Sequence, residues 1–139
     1  MRAAQAADVA MMRLLVDRGA DPRLTQKNGT TALMLAASGR PAGEDEESGA
    51  PDQSGAARAI DFCLEVGLDI HAASANGDTA LHRAVANGAV PAVRRLLERG
   101  ADPHAKNVKG DSPLAVAAGV RTADAKSAIL ALLQAAPRP

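Results

Sequence analysis

The chain has no tryptophan, no tyrosine and one phenylalanine, Phe62, so whatever core it builds is aliphatic. The same poverty removes the aromatic platforms on which unpaired bases stack, and 16 basic residues balance 16 acidic ones, so the electrostatic footprint of a nucleic-acid binder is missing. One cysteine, Cys63, allows no internal disulfide and gives no sign of an oxidising compartment. No apolar run approaches the eighteen or so residues of a membrane span, and the N-terminus lacks the apolar segment of a secretory signal. There is no Gly-rich phosphate loop followed by Lys and Ser or Thr, no paired Cys-x-x-Cys and no nucleophile elbow. The expectation is a non-catalytic, cytoplasmic, monomeric chain with no cofactor and no metal.

What the chain does have is a period. Thirty-three residues separate Gly77 from Gly110, Leu81 from Leu114 and Gly67 from Gly100. A fixed interval of this length, with matched residues, marks stacked supersecondary units. An earlier copy begins at Asn28 and resumes as AARAIDFCLEVGLDIH from Ala56; its Gly29 lies 48 residues before Gly77, so it carries a fifteen-residue insertion. A partial copy, MMRLLVDRGADPR, opens the chain. The repeats run over about 1–27 (partial), 28–75 with the insertion 41–55, 76–108 and 109–139, within a single domain.

Each copy has one grammar. A Gly-centred turn precedes Thr or Ser, and an Ala-rich stretch, Thr79 to Ala86, has the length and propensity of a short helix. A second helix follows, with Val93, Leu96 and Leu97 on one buried face and Gly100 as its left-handed cap. The acid after that cap recurs as Asp21, Asp69 and Asp102, where a short carboxylate accepts turn amide protons. Cys63 falls at the position of Leu96, which predicts a buried, inert thiol.

In Gly77-Asp78-Thr79-Ala80-Leu81-His82, then Ala84, Leu96-Leu97 and Gly100-Ala101-Asp102, the chain closely resembles the ankyrin repeat family. The resemblance implies an all-α solenoid of helix-turn-helix units with projecting hairpin-like loops, three full repeats plus an incomplete N-terminal one. It also implies that His82 ties neighbouring turns together by hydrogen bonds. Met34 and Ala115 stand where His is expected, and Arg40 and Arg121 stand where Gly88 would be. His71 and His104 are equivalent positions one repeat apart, about 10 Å by the spacing of packed helices. That is too far for two ligands on one zinc.

The family's partners are usually proteins, held on a concave surface of hairpin tips and first helices. The candidate contact residues are Lys27, Asn28 and Thr30; Ala75, Asn76 and Asp78; and Val108, Lys109 and Asp111 at the tips. On the helices they are Met34, Ser38, Arg83 and Asn87. With no aromatic and a single Arg in the groove, the segment is expected to bind at roughly micromolar strength or weaker.

Two features suggest other readings. Counting back from Gly19, the first turn and half of the first helix of the opening copy are missing. Either the chain is a piece of a longer array, such as a targeting appendage on an enzyme, or its first helix exposes Met11, Met12 and Leu14. The insertion Pro41 to Gly55 carries Glu44, Asp45, Glu46, Glu47 and Asp52 with no base, leaving sixteen bases against eleven acids elsewhere. Its composition predicts a disordered, tolerated loop. The sharper reading is an acidic tether that engages a basic partner, as a stoichiometric inhibitor would, or that folds back on Arg94, Arg95 and Arg99.

Overall fold

The computed structural model describes residues 9–38 and 55–135, and among them it is all-helical, with no strand. Seven helices follow in order: α1 (Val9–Asp17), α2 (Ala32–Ala37), α3 (Gly55–Glu65), α4 (Ala80–Ala86), α5 (Val90–Glu98), α6 (Pro113–Ala117) and α7 (Ala123–Ala135).

Local chemistry sets the ends of these helices. Thr31, Thr79 and Ser112 sit in extended backbone before α2, α4 and α6, and each side-chain oxygen accepts an amide proton three residues on. Each cap satisfies one donor that the first turn of a helix leaves unpaired, a contribution of about 1 kcal/mol. At the other end, α5 stops because Gly100 turns left-handed at φ 93°. The Ala101 amide then returns to the Leu96 carbonyl at 2.9 Å and the Gly100 amide to Leu97 at 3.1 Å, which absorbs two orphan carbonyls. The same pair of bonds recurs after α1 and α3. The acids beyond these caps behave as the sequence predicts: Asp21, Asp69 and Asp102 accept the amides of Arg23, His71 and His104 at 2.8–2.9 Å.

Packing follows the period. The second helices touch in succession, α1 on α3, α3 on α5 and α5 on α7; the first helices do likewise, α2 on α4 and α4 on α6. Rungs join the two files, α2 to α3, α4 to α5 and α6 to α7. Leu33, Ile60, Leu81, Val85, Val93, Leu96 and Ile129 are buried between the files. Each such aliphatic side chain contributes about 1.5–3 kcal/mol of burial. Alanines at 36, 37, 59, 80, 84 and 92 are buried too, and their small size is what lets short helices approach closely.

At the N-terminal end Leu14 is exposed and Met12 buried, so the alternative of a first helix that exposes Met12 fails at that residue, while α1 packs on α3. Arg13 lies 5.2 Å over the Phe62 ring, an attraction that also joins α1 to α3. At the C-terminal end Ile129 and Leu133 are buried and Leu132 is half-buried. The acidic residues 44–52, Arg40, Pro137 and residues 1–8 lie outside the described residues.

Candidate interaction surface

Three hairpins stand between the second helix of one copy and the first helix of the next. In each, a backbone amide closes on a carbonyl four residues on: Gln26 to Thr30 at 3.0 Å, Ser74 to Asp78 at 2.9 Å and Asn107 to Asp111 at 3.0 Å. Adjacent tips are then joined through the main chain. The Ala75 amide donates to the Asn28 carbonyl at 2.8 Å, and the Val108 amide to the Asn76 carbonyl at 3.0 Å. This approach leaves no room for a side chain at Gly77, where a Cβ would lie 2.7 Å from the Val108 nitrogen.

Side chains stiffen the tips further. Asn28 Oδ1 accepts the Thr30 amide at 3.1 Å. Asn107 Oδ1 accepts the amides of Lys109 and Asp111 at 3.0 and 2.9 Å, while its Nδ2 donates to Asp78 Oδ1 at 3.0 Å. Below the tips, His82 is buried and joins two copies. Its Nδ1 accepts the Thr79 amide at 3.2 Å, and its Nε2 lies 3.0 Å from the Asp111 carbonyl, one copy on. A backbone amide can only donate and a carbonyl can only accept, so the ring carries its proton on Nε2. His82 thus makes the inter-turn tie that the family resemblance implies.

The candidate contact residues divide by exposure. Lys27, Asn28, Ala75, Asn76, Asn87, Val108 and Lys109 are exposed, and Ser38, Asp78, Arg83 and Asp111 are half-buried. Thr30 and Met34 are fully buried, at 0% each, and offer a partner no surface. Met34 stands one position before Leu35, the equivalent of Arg83, and so occupies the place of His82. One residue along a helix is about 100° around it, which turns Met34 into the core. Thr30 is covered and accepts a hydrogen bond from Arg83 Nη2 at 3.1 Å. Ser38 Oγ donates to the Met34 carbonyl at 2.8 Å, which ties it to its own helix.

Residues 64–117 match the family model described as ankyrin repeats in many copies. Over that segment the chain consists of ankyrin repeats. No curated protein matches it.

The second helices α3 and α5 hold a charge cluster that the sequence reading missed. Asp61 on α3 accepts from Arg95 Nε at 2.8 Å, and its second oxygen pairs with Arg95 Nη2. Arg99 Nη2 reaches the same carboxylate at 2.8 Å. The Arg95 hydrogen bonds hold the Asp61 carboxyl below its ordinary range, with the charges of Arg95 and Arg99 adding to them and partial burial opposing. Arg95 is raised in turn, first by its bond to Asp61 and then by Glu98. Two of the three arginines considered as targets for the acidic insertion therefore already hold a carboxylate. A signal existed in the sequence, since Asp61 and Arg95 differ by one residue from the 33-residue period and so sit side by side across the stack.

Cys63 is buried, and burial pushes its thiol up to about 12, which keeps it protonated and unreactive. Among the described residues no group of three or more His, Cys, Asp or Glu stands where it would hold a metal ion. None of the described helices is long and apolar enough to cross a membrane.

Proposed function

We propose that the chain is a protein-interaction module that grips a macromolecular partner with its hairpin tips and first helices. Ankyrin repeats are in general protein-interaction modules and typically non-catalytic, and this chain carries them over residues 64–117. The observation that carries the reading is the chain of main-chain bonds from Asn28 to Ala75 and from Asn76 to Val108. It holds three tips side by side while leaving the side chains of Lys27, Ala75, Val108, Asn28, Asn76 and Lys109 in solvent. Preorganised, exposed side chains on a rigid frame bind without the entropic cost of ordering a loop.

On this reading the copies form one continuous solenoid of three full repeats and a partial first one, in a single domain. The contact set is Lys27, Asn28, Ser38, Ala75, Asn76, Asp78, Arg83, Asn87, Val108, Lys109 and Asp111, with Thr30 and Met34 left out because they are buried. The module acts as a cytoplasmic monomer without a cofactor.

A comparison of two faces tests this. A partner captured with the full chain is measured against Lys27→Glu, Asn76→Arg and Lys109→Glu at the tips, and against Arg58→Glu and Arg94→Glu on the second helices. Loss of binding in the first set with retention in the second is the expected result. The reverse pattern overturns the surface assignment.

A further inference from the structure

Arg83 breaks the pattern of its own repeats. Its equivalents are Leu35, 48 residues earlier, and Val116, 33 later, so one copy of three places a cation where the others place an aliphatic side chain. Its nearest polar contact breaks the pattern as well. Thr30, which accepts from Arg83 Nη2, is the equivalent of Asp78 and Asp111. Had the first hairpin carried the acid found in the other two, Arg83 would have met a carboxylate; it meets a hydroxyl instead.

Two consequences follow for the guanidinium. It is half-buried on α4, oriented by a residue that is itself fully buried, and it makes no ion pair with any of the described residues. Of its five N–H donors one is engaged by Thr30. The acid nearest in the pattern, Asp78, is turned the other way and accepts from Asn107 in the next hairpin. A guanidinium with its direction fixed, part of its water removed and its charge unanswered among the described residues is a preformed receptor for a carboxylate, which it grips with paired, charge-assisted hydrogen bonds. Lys27 and Lys109, exposed at the two outer tips, add positive potential around the same surface.

We propose that Arg83 is the anchor for a carboxylate of the bound partner, so that the groove selects an acidic peptide segment. This rests on the interaction-surface reading above and gives its partner a chemistry. Asp or Glu of the partner lies across α4 beside Thr30, and the tip lysines draw the acidic segment in.

The test is selection of binders from a library of random displayed peptides, with the full chain as bait. The expected result is enrichment of peptides bearing Asp or Glu. Replacing that acid by its amide in the synthetic peptide weakens binding about tenfold or more. The same replacement costs almost nothing against Arg83→Met, since the two changes remove one interaction. Arg83→Lys, which keeps the charge and loses the planar fork, recovers part of the affinity. Amide shifts in the NMR spectrum of the chain locate each peptide and show that each variant is folded. Peptides that map to Thr30, Arg83 and the tips yet tolerate the amide overturn the acidic partner and leave the interaction surface standing. Acidic peptides that map to Arg58 or Arg94 overturn both. A library that yields no carboxylate-bearing binder also overturns the proposal.

Discussion

Gly77→Ala is the substitution that probes the tip ladder most directly. Two separate costs fall on it. The backbone at Gly77 has φ 76°, a left-handed conformation that costs an L-residue roughly 1–2 kcal/mol. The added Cβ would also sit 2.7 Å from the Val108 nitrogen and 2.9 Å from Asn107 Cα, both backbone atoms, so the third hairpin must move away and stretch the Val108 to Asn76 bond. Overpacking of that kind costs about 1–3 kcal/mol, which brings the whole to roughly 3 kcal/mol. Gly110→Ala is the control: φ is 84° and nothing lies within 4 Å of the new Cβ, so the conformational cost of roughly 1–2 kcal/mol stands alone. Gly29→Ala, whose Cβ would meet the Ala75 nitrogen at 3.1 Å, falls between them. Urea denaturation of the three variants gives the ranking. Hydrogen exchange at the Val108 amide, faster in Gly77→Ala and unchanged in Gly110→Ala, locates the cause. Equal losses in Gly77→Ala and Gly110→Ala would refute the idea that adjacent tips are held in contact.

Three further substitutions test other parts of the frame. His82→Ala strips the Thr79 amide and the Asp111 carbonyl of a partner and leaves a void in the core, so a loss of about 2–4 kcal/mol is expected in thermal or urea unfolding, with no rescue by His82→Lys. Asp61→Asn probes the depressed carboxyl: its folded pKa lies below the unfolded one, so its stabilisation is present above about pH 4 and is lost as pH falls through the folded value. The stability gap between the native chain and Asp61→Asn, about 1 kcal/mol near neutrality because the pair is partly exposed, should therefore close in acid unfolding curves. Cys63 should resist a thiol reagent in the folded chain and react at the rate of a free thiol in urea; fast labelling without denaturant would contradict its burial.

Much of the frame is legible in the sequence because it depends on spacing along the chain. The glycines that end helices and the acids that bond two residues on are local devices, and the structure puts them where their spacing predicts, while Thr79, read as the first residue of its helix, is the cap before it. His82 was legible for another reason, its place in a motif. Met34 shows where this stops. Its equivalence to His82 is visible, yet the sequence points to a groove residue where the structure buries it, because a repeat alignment identifies matching positions without stating which way each faces. Thr30 illustrates a second limit: it is fully buried and its hydroxyl is met by Arg83, 53 residues away, and no local pattern carries that contact. The Asp61 cluster is similar, since pairing between second helices becomes visible only when the period is combined with the offset of one residue across the stack.

The tip ladder explains how one frame permits different side chains at matching positions. Lys27, Ala75 and Val108 are equivalent, as are Asn28, Asn76 and Lys109, and within each set the chemistry ranges widely. These are the residues whose main-chain amides and carbonyls join the tips: Asn28 to Ala75 and Asn76 to Val108. Because these bonds between tips are made by backbone atoms that every residue except proline supplies in full, the side chains take no part in them, although Asn28 Oδ1 also holds the Thr30 amide within its own hairpin. The strict requirement falls instead on Gly77, where the next backbone passes, and Gly29 and Gly110 fill its place in the other copies. The side chains at 27, 75 and 108 can therefore change without loosening the stack, whereas proline at 75 or 108 would remove a ladder donor and separate the tips. Arg83 belongs to the variable class by the same criterion: Leu35 and Val116 occupy its place elsewhere and the stack holds, so its charge is free to serve binding.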